Sequence, residues 1–291
     1  MAKEDEAMKN SFESIHNNTP EASSLARNPK GGVPARESAG TTLRKALKSY
    51  LWIFPFALSG GVSVGIYMIE HSSEETIDAI MEQLGSVQLL AAVSAVQSVV
   101  YSVFAWVAGC FIAKRLGLLR PWGFDRRILA RVVPGTAVLG LVFAADYFVV
   151  GRFIPEVAAD YELGVSPTYF ISALTYGGVI EEVLMRWFLM GLIALVLVMI
   201  FEREKAPAEI STWIFAAANV AAAAAFAAGH LPATEAFFGR IDVLILVRCF
   251  VLNGGFGLFF GRWYRKYGIQ YAMLGHVGIH LVDKIILLCV V

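Results

Sequence analysis

The chain has 291 residues, of which 57% are hydrophobic and only 16% charged, with a mean hydropathy of +0.62. Soluble domains carry about 45–50% apolar and about 25% charged residues, so this composition excludes an ordinary soluble fold and indicates one polytopic membrane domain. The 24 basic and 24 acidic residues cancel, leaving no global field to attract nucleic acid.

Residues 1–43 are rich in Ser, Asn, Glu, Lys, Gly and Pro and have no apolar periodicity. Such a stretch cannot bury enough surface to offset its ordering entropy, so it reads as a disordered cytoplasmic tail. No apolar segment follows the first methionine, which argues against a signal peptide. Residues 44–291 read as a single membrane-embedded helical domain.

A hydrocarbon core of about 30 Å takes roughly 20 helical residues to cross. The sequence predicts spans at Leu51–Ile69, Val87–Ala113, Val132–Gly151, Leu184–Phe201, Ile210–Ala228, Ile241–Gly261 and Tyr271–Val291. A further helical piece, Thr168–Glu182, is either a short span of its own or the first half of the fourth helix. The expected fold is therefore all-α: a polytopic bundle of seven or eight transmembrane helices. Basic residues precede the first span (Arg36, Arg44, Lys45, Lys48), lie between the second and third (Lys114, Arg115, Arg120, Arg126, Arg127, Arg131) and between the last two (Arg262, Arg265, Lys266). The segments 70–83 and 152–165 are acidic. By the positive-inside rule the amino terminus and the basic loops are cytoplasmic, which favours seven crossings in a multi-pass protein of the cell membrane. Cys110, Cys249 and Cys289 have neither metal-finger nor disulfide spacing and read as small buried hydrophobes.

Charges inside a bilayer are costly and need a reason. The densest cluster is Gly177-Gly178-Val179-Ile180-Glu181-Glu182-Val183-Leu184-Met185-Arg186. On an α-helix Glu182 and Arg186 share a face and pair, while Glu181 is rotated away. This assigns Glu182 and Arg186 to a structural ion pair and leaves Glu181 free for chemistry. Of the five histidines, His16 and His71 fall in the tail and a loop and carry no evident role. His230 closes an Ala-rich helix, and His276 and His280 stack on one face of the last helix. A carboxylate in an apolar site is a competent general base near neutral pH. With a histidine it can deprotonate water for attack on a peptide carbonyl, and two donors on a neighbouring helix can hold the oxyanion.

The ordered motifs Glu181-Glu182-x-x-x-Arg186, Phe226-x-x-x-His230 and His276-x-x-x-His280 resemble those of the CPBP family, the CaaX-protease and bacteriocin-processing (Abi, glutamic-type) intramembrane proteases. The resemblance covers about residues 168–291; the first three helices carry no motif. It implies an intramembrane polar cavity in the helix bundle, in which Glu181 and His230 activate the water and His276 and His280 form the oxyanion hole, and that a lipid-anchored or membrane-inserted protein or peptide is cut near its carboxyl end. Many relatives have Asn at the last position, where this chain has His280. A neutral histidine still donates a hydrogen bond. The same four residues, Glu181, His230, His276 and His280, are also a chemically sensible zinc ligand set. A mechanism without a cofactor is the reading adopted, and zinc is the alternative. The alternatives for function are a non-proteolytic immunity factor or scaffold and, further off, a proton-coupled transporter. Membrane lipids and a membrane-anchored substrate are the expected partners.

Overall fold

A computed structural model describes residues 38–290, and among them there is no β-strand. The tail reading of residues 1–37 lies outside the described residues; Ala39–Leu43, grouped with the tail by composition, already belong to the first helix. In chain order the helices are α1 (Ala39–Tyr50), α2 (Phe54–Glu70), α3 (Glu74–Leu84), α4 (Val87–Leu116), α5 (Arg126–Val149), α6 (Pro155–Glu162), α7 (Pro167–Phe201), α8 (Thr212–Gly229), α9 (Leu231–Phe238), α10 (Val243–Tyr267) and α11 (Ile269–Val290).

The helix ends follow from local chemistry. Ser86 Oγ accepts from Leu89 N at 3.2 Å, Asp125 Oδ1 from Arg127 N at 2.7 Å, Ser166 Oγ from Tyr169 N at 3.0 Å and Asp242 Oδ1 from Ile245 N at 3.0 Å. Each satisfies an amide that the first helical turn leaves without a partner. Glycine closes α4 at Gly117 and α9 at Gly239, both at φ 68°, where other residues are disfavoured.

Six helical stretches are long and apolar enough to cross a membrane, and α1 with α2, bent by 53° between them, makes a seventh. That bent pair traverses the bundle. At its start Thr42 accepts from Lys114 Nζ, at the end of α4, at 2.8 Å. At its finish Glu70 accepts from Ser166 and Thr168, at the start of α7, at 2.6 Å. The segment Thr168–Glu182 is not a separate crossing, so the eighth span is withdrawn. It continues without a break into Leu184–Phe201 as the 35-residue α7. Most of α7 from Ala173 to Met190 winds with the wider i→i+5 bonding of a π-helix, a form concentrated at functional sites.

The outer faces of α4 and α5 leave large apolar side chains bare, including Val96, Phe104, Val138 and Leu141. In water so large an apolar surface is unfavourable; against lipid it is the expected coat. Inside, small residues let backbones meet. A Cβ on Gly61 of α2 would come within 2.7 Å of Ala95 Cα on α4, so only hydrogen fits there. Buried charge is paired across helices: Arg248 Nε donates to Asp146 Oδ2 at 2.9 Å, and Tyr161 donates to the same oxygen at 3.0 Å. On α11 Lys284 bonds both its neighbour Asp283, at 2.8 Å, and Tyr169 of α7, at 2.5 Å. Of the cysteines Cys249 is buried, whereas Cys289 is exposed on the outer surface of α11 rather than packed inside.

Candidate active site

Three helical segments converge on one cavity of about 460 Å³, and its walls include Glu181 from α7, His230 from the α8–α9 junction, and His276 and His280 from α11. Glycine makes the approach of α11 to α7 close. A Cβ on Gly178 would lie 2.3 Å from Val277 Cγ2 and 3.0 Å from Val277 Cα, and one on Gly177 would lie 3.2 Å from His280 Nε2. Replacing Gly178 by Leu must push α11 off α7. Displacements of about 1 Å at a reaction centre cost on the order of a hundredfold in rate, so Gly178→Leu is expected to lose at least that much peptidase activity while the chain remains membrane-inserted; a cleavage assay on the reconstituted variant checks this.

The depth of His230 has a simple origin. The helix predicted to stop at Ala228 runs on, through His230, to Phe238 as a 27-residue stretch. The amide of His230 donates to Ala227 O at 3.1 Å, and Pro232 occupies the first turn of α9, where a missing amide hydrogen costs nothing. His230 therefore lies within a 27-residue helical stretch instead of at its edge.

Glu182 and Arg186 are fully enclosed, with Arg186 Nη1 3.1 Å from Glu182 Oε1. The guanidinium also lies over Phe226, 4.5 Å from the ring centroid, and over Phe260 at 5.3 Å. Glu182 Oε1 has a second partner that helix periodicity does not reveal: His276 Nδ1, at 2.8 Å. The pair is thus a three-residue network joining α7 to α11.

Glu181 points into the cavity and remains partly accessible. Its Oε1 is 3.7 Å from His230 Nε2 and its Oε2 is 4.0 Å from His276 Nε2. His230 Nδ1 is 2.9 Å from Phe226 O. A carbonyl oxygen only accepts, so Nδ1 carries the proton and Nε2 presents a lone pair toward Glu181. Two acceptors at this separation suit a single bridging water that gives a hydrogen to each.

His276 and His280 stack with ring centroids 5.0 Å apart and 24° between planes. Among the described residues, His280 Nδ1 has no hydrogen-bond partner. Also among the described residues, no three His, Cys, Asp or Glu side chains converge as a metal ligand set. As placed, the four candidate ligands do not fit a zinc ion.

Residues 164–282 match the family model described as Type II CAAX prenyl endopeptidase Rce1-like. That stretch, 119 of the 291 residues, is similar to the Rce1-like family. It holds every candidate residue named above, and the peptidase character of the Rce1-like family makes hydrolysis of peptide bonds the chemistry to be explained. The Rce1-like match agrees with the resemblance carried by the three motifs and, like it, leaves the first three spans outside. Comparison with curated proteins and with solved structures gives no match.

The cavity has a second half that sequence reasoning missed. Its walls include Tyr67, Asp160, Tyr169, Phe237 and Arg248. His71, read as a loop residue with no role, is buried beside this half, with Nδ1 2.9 Å from Asp160 Oδ1 and its ring packed near Tyr67 and Tyr169. The partners are 89 residues apart in the chain, so no local spacing signals the contact.

Proposed function

We propose that the chain is an intramembrane endopeptidase that hydrolyses a peptide bond near the carboxyl end of a lipid-anchored or membrane-inserted substrate. The observation that carries this reading is the Glu181–His230 pair. His230 Nδ1 is committed to Phe226 O, so His230 Nε2 and Glu181 Oε1, 3.7 Å apart, are two acceptors that hold one water by its two hydrogens. Glu181 takes a proton as the water oxygen adds to the scissile carbonyl, and that proton passes to the departing amine. The apolar walls keep competing water out of the site.

The oxyanion roles divide according to hydrogen bonding. His280 donates through whichever ring nitrogen carries its proton, and Nδ1 is not occupied by another described residue. His276 donates at Nε2 either as the Nε2–H tautomer, accepting at Nδ1 from a protonated Glu182, or as the imidazolium with Glu182 as counter-ion. In the imidazolium form charge balances as Glu181 and Glu182 against Arg186 and His276. His280→Asn keeps a donor and removes a potential ligand. We expect the variant to retain cleavage within about tenfold and the wild type to remain active after chelation; activity lost with stoichiometric zinc and restored by its return reinstates the ligand set.

We also place the amino terminus and the basic loops in the cytoplasm. The contacts of 71 with 160, of 70 with 166 and 168, and of 240 with 156 gather at one end of the bundle the loops that alternate with the basic ones. Seven crossings put the carboxyl terminus on the outer side. A carboxyl-terminal alkaline phosphatase fusion should be active, because that reporter folds only outside the cytoplasm; an inactive phosphatase with a fluorescent cytoplasmic reporter reverses the orientation.

A further inference from the structure

Away from the cavity just described, the loop residues Arg120 to Asp125 and the α10–α11 turn border a second, open cavity of about 440 Å³. Its walls include the side chains of Arg120, Trp122, Phe124 and Lys266, all exposed. Among the described residues neither Arg120 nor Lys266 has a carboxylate partner. The one acid in the wall, Asp125, is committed to the start of α5, where Oδ1 accepts from Arg127 N and Ile128 N at 2.7 and 3.2 Å. The loop is held rigidly: Gln270 Nε2 donates to Pro121 O and Gly123 O, each at 3.1 Å, and Asp125 N donates to Tyr271 OH at 2.6 Å. Residues 114–131 and 262–266 together carry nine basic side chains and a single acidic one.

We propose that this cavity binds the phosphate headgroup of an anionic phospholipid, held between Arg120 and Lys266. The two unpaired cations suit a phosphate, which accepts from several donors at once. The choice of a lipid over free phosphate rests on Trp122 and Phe124, which are 62% and 55% exposed at the end of the membrane-spanning helices. An inorganic ion has no use for bare aromatic rings, whereas such rings settle at the headgroup level of a bilayer beside the acyl chains. A basic pocket between transmembrane helices is the expected form of an anionic headgroup site. Gln270 and Tyr271 open the helix that carries His276 and His280, so an occupied site braces the start of that helix.

The test uses the full chain, purified and exposed to equimolar phosphatidylglycerol and phosphatidylcholine, with bound lipid counted by native mass spectrometry. Wild type should retain one phosphatidylglycerol in preference to phosphatidylcholine. Arg120→Gln with Lys266→Gln should lower that preference at least tenfold, since each cation near an anionic surface contributes about fivefold. Arg152→Gln, at the other end of the bundle, should leave it unchanged, and unchanged melting of all variants establishes that they are folded. Trp122→Ala with Phe124→Ala should weaken lipid retention as well. The proposal is overturned if the double charge variant retains phosphatidylglycerol as wild type does, or if millimolar inorganic phosphate displaces it and the aromatic variant binds it normally, which would make the cavity a simple anion site.

Discussion

Glu181→Ala and His230→Ala should each abolish detectable cleavage, by at least the 10²–10⁴-fold that a positioned general base contributes. In the proposed mechanism Glu181 takes the proton of the attacking water, and His230 holds that water through an Nε2 lone pair fixed by the bond from Nδ1 to Phe226 O. Neither side chain carries the packing, since both line the open cavity and are partly accessible. The variants should therefore insert, purify and melt as wild type does. His230→Phe keeps a ring but offers no acceptor lone pair and should be as inactive as His230→Ala. Measuring turnover and thermal unfolding on the same preparations separates the two effects. Full activity in Glu181→Ala would remove Glu181 from the mechanism.

Changing the neighbouring carboxylate should have the opposite signature. Glu182 and Arg186 are enclosed on every side, and the Glu182 oxygen that meets Arg186 also meets His276. Glu182→Ala leaves a buried guanidinium without its counter-ion, and Arg186→Ala leaves a buried carboxylate without its own. Breaking a buried pair from one side costs about 3–5 kcal/mol, enough to lower the unfolding midpoint by on the order of 10 °C and to reduce the amount of protein in the membrane. Arg186→Ala further empties the space between Phe226 and Phe260, which adds a packing loss to the electrostatic one. Glu182→Gln with Arg186→Met removes both charges and should recover a large part of the lost stability without recovering activity, because His276 then has no anionic partner. Equal stability of Glu182→Ala and wild type would show that the pair is not structural.

The membrane class, the span order and the grouping of polar residues on α7, α8 and α11 were legible because each rests on local periodicity: about 20 apolar residues for a span, and four-residue spacing for one helix face. The pairing of Glu182 with Arg186 is readable for the same reason. What escaped was contact between distant segments. His276 Nδ1 meets Glu182 across 94 residues, and His71 meets Asp160 across 89. No spacing rule reports such pairs. The span predicted to end at Ala228 was drawn short, because Pro232 starts a new helical turn along the same stretch. Of the two readings of Thr168–Glu182, the first half of the fourth helix holds: Glu181, Glu182 and Arg186 lower the local hydropathy, but their charges are satisfied or aimed into a cavity, so the helix has no cause to stop. The i→i+5 winding around these residues has no sequence signature beyond two adjacent glycines.

The central claim is that Glu181 drives hydrolysis of a peptide bond within the membrane domain. Its most direct test is mass spectrometry of the products formed from a prenylated CaaX peptide by wild type and by Glu181→Gln, each reconstituted in lipid vesicles. The account predicts a single cut near the carboxyl end by wild type and an intact peptide with folded Glu181→Gln. Cleavage at the same bond and rate by both proteins would contradict it.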